Sequence, residues 1–231
     1  MNGPKIIFVH QPKAAGTSLI EGFKATYGKE AIYHDMDNQI IWKKNWLTRE
    51  MELFIQPYRK YKDRAKYTVI HGHFRREKYA RAFPHAFYMT FYRHPVQQII
   101  SQYYYWLRSC NPSDTNPMRK WVFNTKPDIT DFVNVFLSGY DIQKLKKMDP
   151  SLFSFVGITE QIDESFEMLK RNFPELLTDI KAQRINPDKI MGEDYKLSDH
   201  ERKVIEDKMW QQIKLYEEAK KLFELQRARI F

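Results

Sequence analysis

Three groups of polar residues carry the means to bind an anion and to move a proton. The first is Lys13-Ala14-Ala15-Gly16-Thr17-Ser18. It follows a short apolar, β-branched run, Lys5-Ile6-Ile7-Phe8-Val9-His10, closed by Gln11-Pro12, and it precedes the periodic apolar residues Leu19, Ile20 and Phe23. That order reads as strand, loop and helix. A helix N-terminus presents unpaired backbone N–H groups and the positive end of the macrodipole, and both favour an anion. Gly16, having no Cβ, lets the backbone approach a phosphate closely. Lys13 adds a mobile positive charge, and Thr17 and Ser18 add hydroxyl donors. A purely structural reading stands beside this one: Ser18 and Glu21 form an S-x-x-E capping box, which by itself explains the serine.

The second group is Arg93 and Ser101. Arg93 leaves the end of a strand, and Ser101 lies about two turns into the helix that follows. An always-charged fork beside a short hydroxyl donor suits a dianionic phosphate. Taken singly, the pair is a solvated arginine and a helix serine. The third group is His71-Gly72-His73. An imidazole titrates near neutrality and serves as a general base on a hydroxyl. Alternation along an extended chain puts both rings on one side. Two other readings stay open. One is a metal site, although no acid–His or Cys cluster occurs at a recognisable spacing; the other is a pair of structural histidines.

The first loop is not that of a nucleotide triphosphatase, G-x-x-x-x-G-K-[ST], because Lys13 stands three residues before Gly16 and no glycine opens the loop. The order Pro12-Lys13-x-x-Gly16-Thr17-Ser18 instead resembles the 5′-phosphosulfate loop of sulfotransferases. The likeness is greatest to the carbohydrate-type branch that includes the heparan sulfate 2-O-sulfotransferases. The run Arg93-His94-Pro95 to Ser101-Gln102-Tyr103-Tyr104 resembles the family's R-[D/N]-P-x-x-x-x-x-S-x-Y-Y, and His71-Gly72-His73 resembles the His-x-His that ends a strand in that branch. Phe155-Val156-Gly157-Ile158-Thr159-Glu160 is similar to a further family segment, with packing and capping as its expected role.

The resemblance implies an enzyme that uses 3′-phosphoadenosine 5′-phosphosulfate (PAPS) and needs no metal. It implies that Lys13, Ala14, Ala15, Gly16, Thr17 and Ser18 surround the 5′-phosphosulfate, and that Arg93 and Ser101 grip the 3′-phosphate. His73 is then the catalytic base with His71 supporting it, and Lys13 offsets charge on the leaving phosphate. Two positions depart from the pattern. Ala14 stands where a threonine is usual, and His94 stands where an acid usually follows the arginine, which changes how Arg93 is held. The matching stretches frame most of the first half of the chain, and the acceptor-facing parts are not recognisable.

These residues must be positioned by alternating strands and helices. The first helix is expected over Thr17–Tyr27, ended by Gly28, with a short strand over Ala31–His34. Ile40, Ile41, Trp46, Leu47, Met51, Phe54 and Ile55 recur at helix-like spacing, which predicts one or two helices between Gln39 and Lys62. Strands follow at Tyr67–His71 and Ala86–Tyr92, separated by a short helix over Arg75–Phe83. Pro95 opens a helix that runs to Arg108, with Ile99, Tyr103, Trp106 and Leu107 on its core face. A loop spans Ser109–Pro117, and a short helix spans Thr130–Leu137. The last strand, Phe153–Ile158, leads to Thr159 as a helix cap, with Glu160 and Asp163 in the first turn. An irregular basic stretch covers Thr178–Lys196. A capping box, Ser198 with Glu201, then opens a long helix whose stripe is Val204, Ile205, Met209, Ile213, Tyr216, Ala219 and Phe223. The alternation predicts one α/β, P-loop-like domain over residues 1–231, with a largely parallel central sheet flanked by helices. In such sheets ligands sit beyond the carboxyl ends of the strands, where all three groups fall.

The chain has 231 residues, long enough for one sizeable core. Its net charge of +9 favours an anionic ligand. Charge alone does not separate nucleic acid, a polyanionic sugar and a phosphorylated cofactor. The single Cys110 excludes an internal disulfide and fits a reducing compartment. No apolar run reaches the length of a membrane span or a signal-peptide core, so the expected protein is cytoplasmic, either a naturally soluble member or an excised domain. The expected partner is a hydroxyl-bearing acceptor, carbohydrate or small molecule, rather than nucleic acid or membrane. Two rivals are a kinase of the same loop class and a non-catalytic module that binds RNA or another polyanion. The kinase needs a lysine directly before Thr17 and a strand-end acid for Mg²⁺; the module explains the charge but not three strand-end motifs.

Overall fold

Five short strands carry the polar groups at their ends. In a computed structural model, which describes residues 3–35, 63–138, 148–176 and 197–231, these are β1 (Ile6–Val9), β2 (Ile32–Asp35), β3 (Val69–Gly72), β4 (Phe87–Tyr92) and β5 (Phe155–Ile158). They pair in the order β2-β3-β1-β4-β5, all parallel. Every residue of β1, β3 and β5 is buried, as expected for parallel strands covered on both faces. The result is an α/β fold with a central parallel sheet flanked by helices, compatible with a P-loop-like arrangement. The helices expected over 39–62 and the basic stretch over 178–196 lie outside the described residues.

The described helices are α1 (Gly16–Tyr27), α2 (Glu77–Ala80), α3 (Pro95–Ser109), α4 (Pro117–Thr125), α5 (Ile129–Ser138), α6 (Ile162–Asn172) and α7 (Asp199–Ile230). Most match the periodicity within a residue or two. The helix α4 falls where only a loop and its exit were expected. Its signal was Asn116-Pro117: Pro117 fills the first helical position, and the Asn116 side chain accepts from Met118 N and Arg119 N. The two capping boxes part ways. Ser198 and Glu201 form theirs at α7. Ser18 and Glu21 do not, because α1 starts two residues earlier, at Gly16. Ser18 is buried inside the helix, and Glu21 pairs with Lys24 at 2.7 Å.

Two apolar clusters hold the layers together. One surrounds the sheet, with Phe8, Phe23, Ile70, Met89, Phe91 and Phe155 among its fully buried side chains. The other joins α3, α4, α5 and α7 through Val96, Ile100, Val122, Phe132 and Ile205. Ile99 is buried there, with Tyr103, Trp106 and Leu107 packed against it as the helical spacing predicts. Of the expected α7 stripe, Ile205, Met209, Tyr216, Ala219 and Phe223 are buried.

At the end of β2, Asp35 is buried against Lys78 (2.5 Å) and accepts from the hydroxyl of Tyr79 (2.7 Å), tying α2 to the sheet. Gly72 makes this edge possible, since a Cβ there would stand 1.9 Å from the Asp35 carbonyl oxygen. The chain leaves β1 toward β2 at one edge of the sheet and leaves β4 toward β5 at the other. The crevice beyond β1 and β4 is therefore the topological switch point, where open α/β sheets bind their ligands.

Candidate functional site

The loop between β1 and α1 borders this crevice. Lys13 (φ 63°) and Ala15 (φ 55°) both adopt left-handed backbone, a conformation that costs a residue with a Cβ on the order of 1–3 kcal/mol and concentrates at functional sites. Left-handed residues ahead of a helix turn successive N–H groups into one concavity suited to an anion. The first α1 ladder bond runs from Leu19 N to Ala15 O, so the N–H groups of Gly16 and Thr17 stand ahead of the ladder. No side chain caps this end, and no acid stands in the first turn. The donor set thus suits an anion.

Two other strand ends reach this loop. Arg93, just past β4, donates from Nη1 to the carbonyl oxygen of Lys13 at 3.2 Å. His73, just past β3, lies with Nδ1 2.8 Å from the carbonyl oxygen of His10. A carbonyl only accepts, so Nδ1 of His73 carries the proton, and in the neutral ring Nε2 keeps its lone pair. Thr90 donates to Val9 O at 2.8 Å and fastens β4 to the strand that feeds the loop.

The helix α3 presents a stripe to the same loop. Gln98 donates from Nε2 to Pro12 O at 2.7 Å, and the ammonium of Lys13 lies 4.0 Å from the centroid of the Tyr105 ring. Ser101 falls between these positions at helical spacing and is buried. Ser101 therefore shares the helix face of Gln98 and Tyr105, about one turn from each. Gln98 and Tyr105 were not expected there; their signal was the three- and four-residue spacing from Ser101.

His94 is held by a residue just past β5. Glu160 accepts from His94 N at 2.8 Å and from the Tyr216 hydroxyl at 3.1 Å, and the His94 ring meets Tyr216 edge-on at 5.2 Å. A carboxylate from elsewhere in the chain therefore sits at the α3 N-terminus. Glu160 does not cap its own helix, nor does Thr159, whose hydroxyl donates to Tyr92 O at 2.9 Å. Glu160 does stand in a first helical turn as expected, that of the 3₁₀ turn Thr159–Gln161, whereas the cap expected at Thr159 is absent; the two side chains fasten the end of β5 to the start of α3 and the end of β4.

The imidazoles form a larger group than the sequence suggested. His71 pairs in register with Phe8 and His34, and alternation sends His10 and His73 to that same face. The His10 ring stacks on His73 (centroids 4.6 Å) and on His71 (5.2 Å), and His71 Nδ1 lies 3.3 Å from His34 Nδ1. The rings stack rather than converge: no three His, Cys, Asp or Glu side chains among the described residues are placed to hold a metal ion. Burial, reinforced by the neighbouring His73, pushes His10 down to about 3. Burial, followed by the charges of His10, His34 and His73, pushes His71 down to about 2. Both rings are neutral at physiological pH. His10 was not singled out, although it ends a strand as His71 and His73 do.

The His10 ring itself requires a glycine at position 16: a Cβ there would stand 2.0 Å from His10 Nε2. No protein-family model matches the chain, and no curated protein matches it. Among the described residues no helix is long and apolar enough to cross a membrane.

Proposed function

We propose that the protein is a sulfotransferase that takes PAPS as donor and an acceptor hydroxyl, carbohydrate or small molecule, as the second substrate. One observation carries this reading: His73 and Arg93, which follow different strands, both hydrogen-bond to carbonyls of the loop after β1, those of His10 and Lys13. That arrangement supports an anion held at the α1 N-terminus, with a guanidinium on one side and a basic imidazole on the other.

When bound, the donor supplies a sulfuryl group, whose bond to the acceptor oxygen forms as its bond to the 5′-phosphate oxygen breaks. His73 takes the acceptor's hydroxyl proton on Nε2, because its Nδ1 is already engaged. The N–H groups of Gly16 and Thr17, with the ammonium of Lys13, offset the charge that builds on the leaving phosphate; one such donor typically contributes about 3 kcal/mol to lowering the barrier. Arg93 and Ser101 bind the 3′-phosphate, Ala15 contributes backbone alone, and Ala14, buried with its N–H donated to Gln11 O at 3.3 Å, braces the loop from within. His71, neutral and buried, backs the stack that holds His10. The rest of catalysis is orientation of two substrates.

The test is a product screen by mass spectrometry, with PAPS and pooled hydroxyl acceptors, read for an added sulfate and run in parallel with ATP. Sulfate ester formed from PAPS supports the reading. Phosphate transferred from ATP, or no product with either donor, overturns it.

A further inference from the structure

His10 is the least explained side chain of the site. Both of its ring nitrogens are sealed from solvent and have no hydrogen-bond partner among the described residues. Buried imidazole nitrogens are rarely left so. The role of this ring therefore lies in its faces and its shape. One side lies against Gly16, at the start of α1. The plane stacks on His73 with an interplanar angle of 27°, and the backbone carbonyl of the same residue accepts a hydrogen bond from Nδ1–H of His73.

We infer that His10 is the positioning residue for His73. Its ring holds the neighbouring imidazole in the plane at which Nδ1 faces the His10 carbonyl, so ring and carbonyl together fix the tautomer, and its contact with Gly16 links that plane to the anion-binding loop. The inference rests on the reading of His73 as the base. It adds that the base is built onto the loop, not merely placed near it. A change in the loop at Gly16 is then transmitted to the imidazole through one aromatic ring. His71 stacks on His10 at 5.2 Å and supports the ring from the β3 side.

The test reads the His73 tautomer directly, by long-range ¹H–¹⁵N correlation spectra of the histidine rings in the full chain at neutral pH. His73 is assigned from the spectrum of His73→Gln. The wild type is expected to show His73 protonated on Nδ1 and bare on Nε2. His10→Phe keeps the flat ring and the carbonyl, and is expected to keep that signature. His10→Leu removes the flat ring, and Gly16→Ala drives a Cβ into it. Each is expected to turn His73 into a mixture of tautomers. In His10→Leu, kcat with PAPS is expected to fall on the order of 10- to 100-fold, with KM for the donor within about twofold.

A His73 signature lost in His10→Phe, or unchanged in both His10→Leu and Gly16→Ala, overturns the inference. Should His10→Leu fail to fold, Gly16→Ala and His10→Phe decide between them. Because the tautomer is read without turnover, the two proposals fail separately. If no acceptor takes sulfate while His73 still follows His10, the reaction assignment falls and the positioning role stands. If sulfate is transferred while His73 ignores His10, the positioning role falls.

Discussion

Arg93 donates to the carbonyl oxygen of Lys13 over 3.2 Å, so the side chain that ends β4 is held by the backbone of the loop that follows β1. The contact spans the crevice at which the chain diverges toward the two edges of the sheet. It also places a permanent charge beside a loop whose amides have no acidic neighbour in the first helical turn.

Arg93 is therefore expected to recognise one phosphate rather than the whole nucleotide. Arg93→Ala should weaken binding of adenosine 3′,5′-bisphosphate by roughly 10- to 100-fold, the loss of a charge-assisted hydrogen bond of about 1.5–3 kcal/mol. Binding of adenosine 5′-phosphate, which lacks the 3′-phosphate, should change far less. Calorimetry with the two ligands checks this, and equal losses for both would remove the assignment.

His73 is expected to act on the proton and not on the donor. His73→Ala should reduce kcat by about 10²–10⁴-fold, the usual contribution of a positioned general base, while bisphosphate affinity stays within about twofold. Turnover retained at the wild-type rate would show that another group takes the proton.

Acid should unfold this protein through its buried imidazoles. His10 is pushed down to about 3 and His71 to about 2, whereas in the unfolded chain both titrate near 6.5. Between those values the unfolded state binds more protons, so stability falls as pH falls below about 6.5. Each ring contributes a slope of about 1.4 kcal/mol per pH unit. Thermal melts from pH 7 to pH 4.5 should show a steep decline in Tm, and His10→Phe should make that decline shallower. A Tm that is flat over this range would contradict the burial of both rings.

The pair of Asp35 and Lys78 is expected to matter chiefly when one member is lost. Both side chains are buried, so Asp35→Asn leaves an uncompensated ammonium and should destabilise the fold by about 3–5 kcal/mol. Adding Lys78→Met should restore much of that loss. Chemical denaturation of the single and double variants measures both, and a single variant within about 0.5 kcal/mol of wild type would contradict the buried placement.

The amino-acid sequence alone determined the alternation of strands and helices, the parallel sheet, and the fall of three polar groups at strand ends. These features are written in short-range periodicity: unbroken apolar runs for buried strands, three- and four-residue spacing for α3 and α7, and Pro95 and Gly28 as punctuation. It also led to Lys13, Arg93 and His73, because each stands one to four residues past such a run. Only the tertiary structure decided what those groups touch. The strand order brings β1 between β3 and β4, from which follow the contacts of Arg93 with Lys13 and His73 with His10, and it sets β5 beside β4, from which follows that of Glu160 with His94. Each joins residues more than sixty positions apart, and no local pattern encodes such a pairing. The same cause explains the errors at Ser18 and Thr159, whose local neighbours suggested caps. A helix that starts two residues earlier buries the first, and a strand end across the sheet supplies a better acceptor for the second. His10 was hidden because its significance is a stacking partner, and stacking depends on which strands lie side by side.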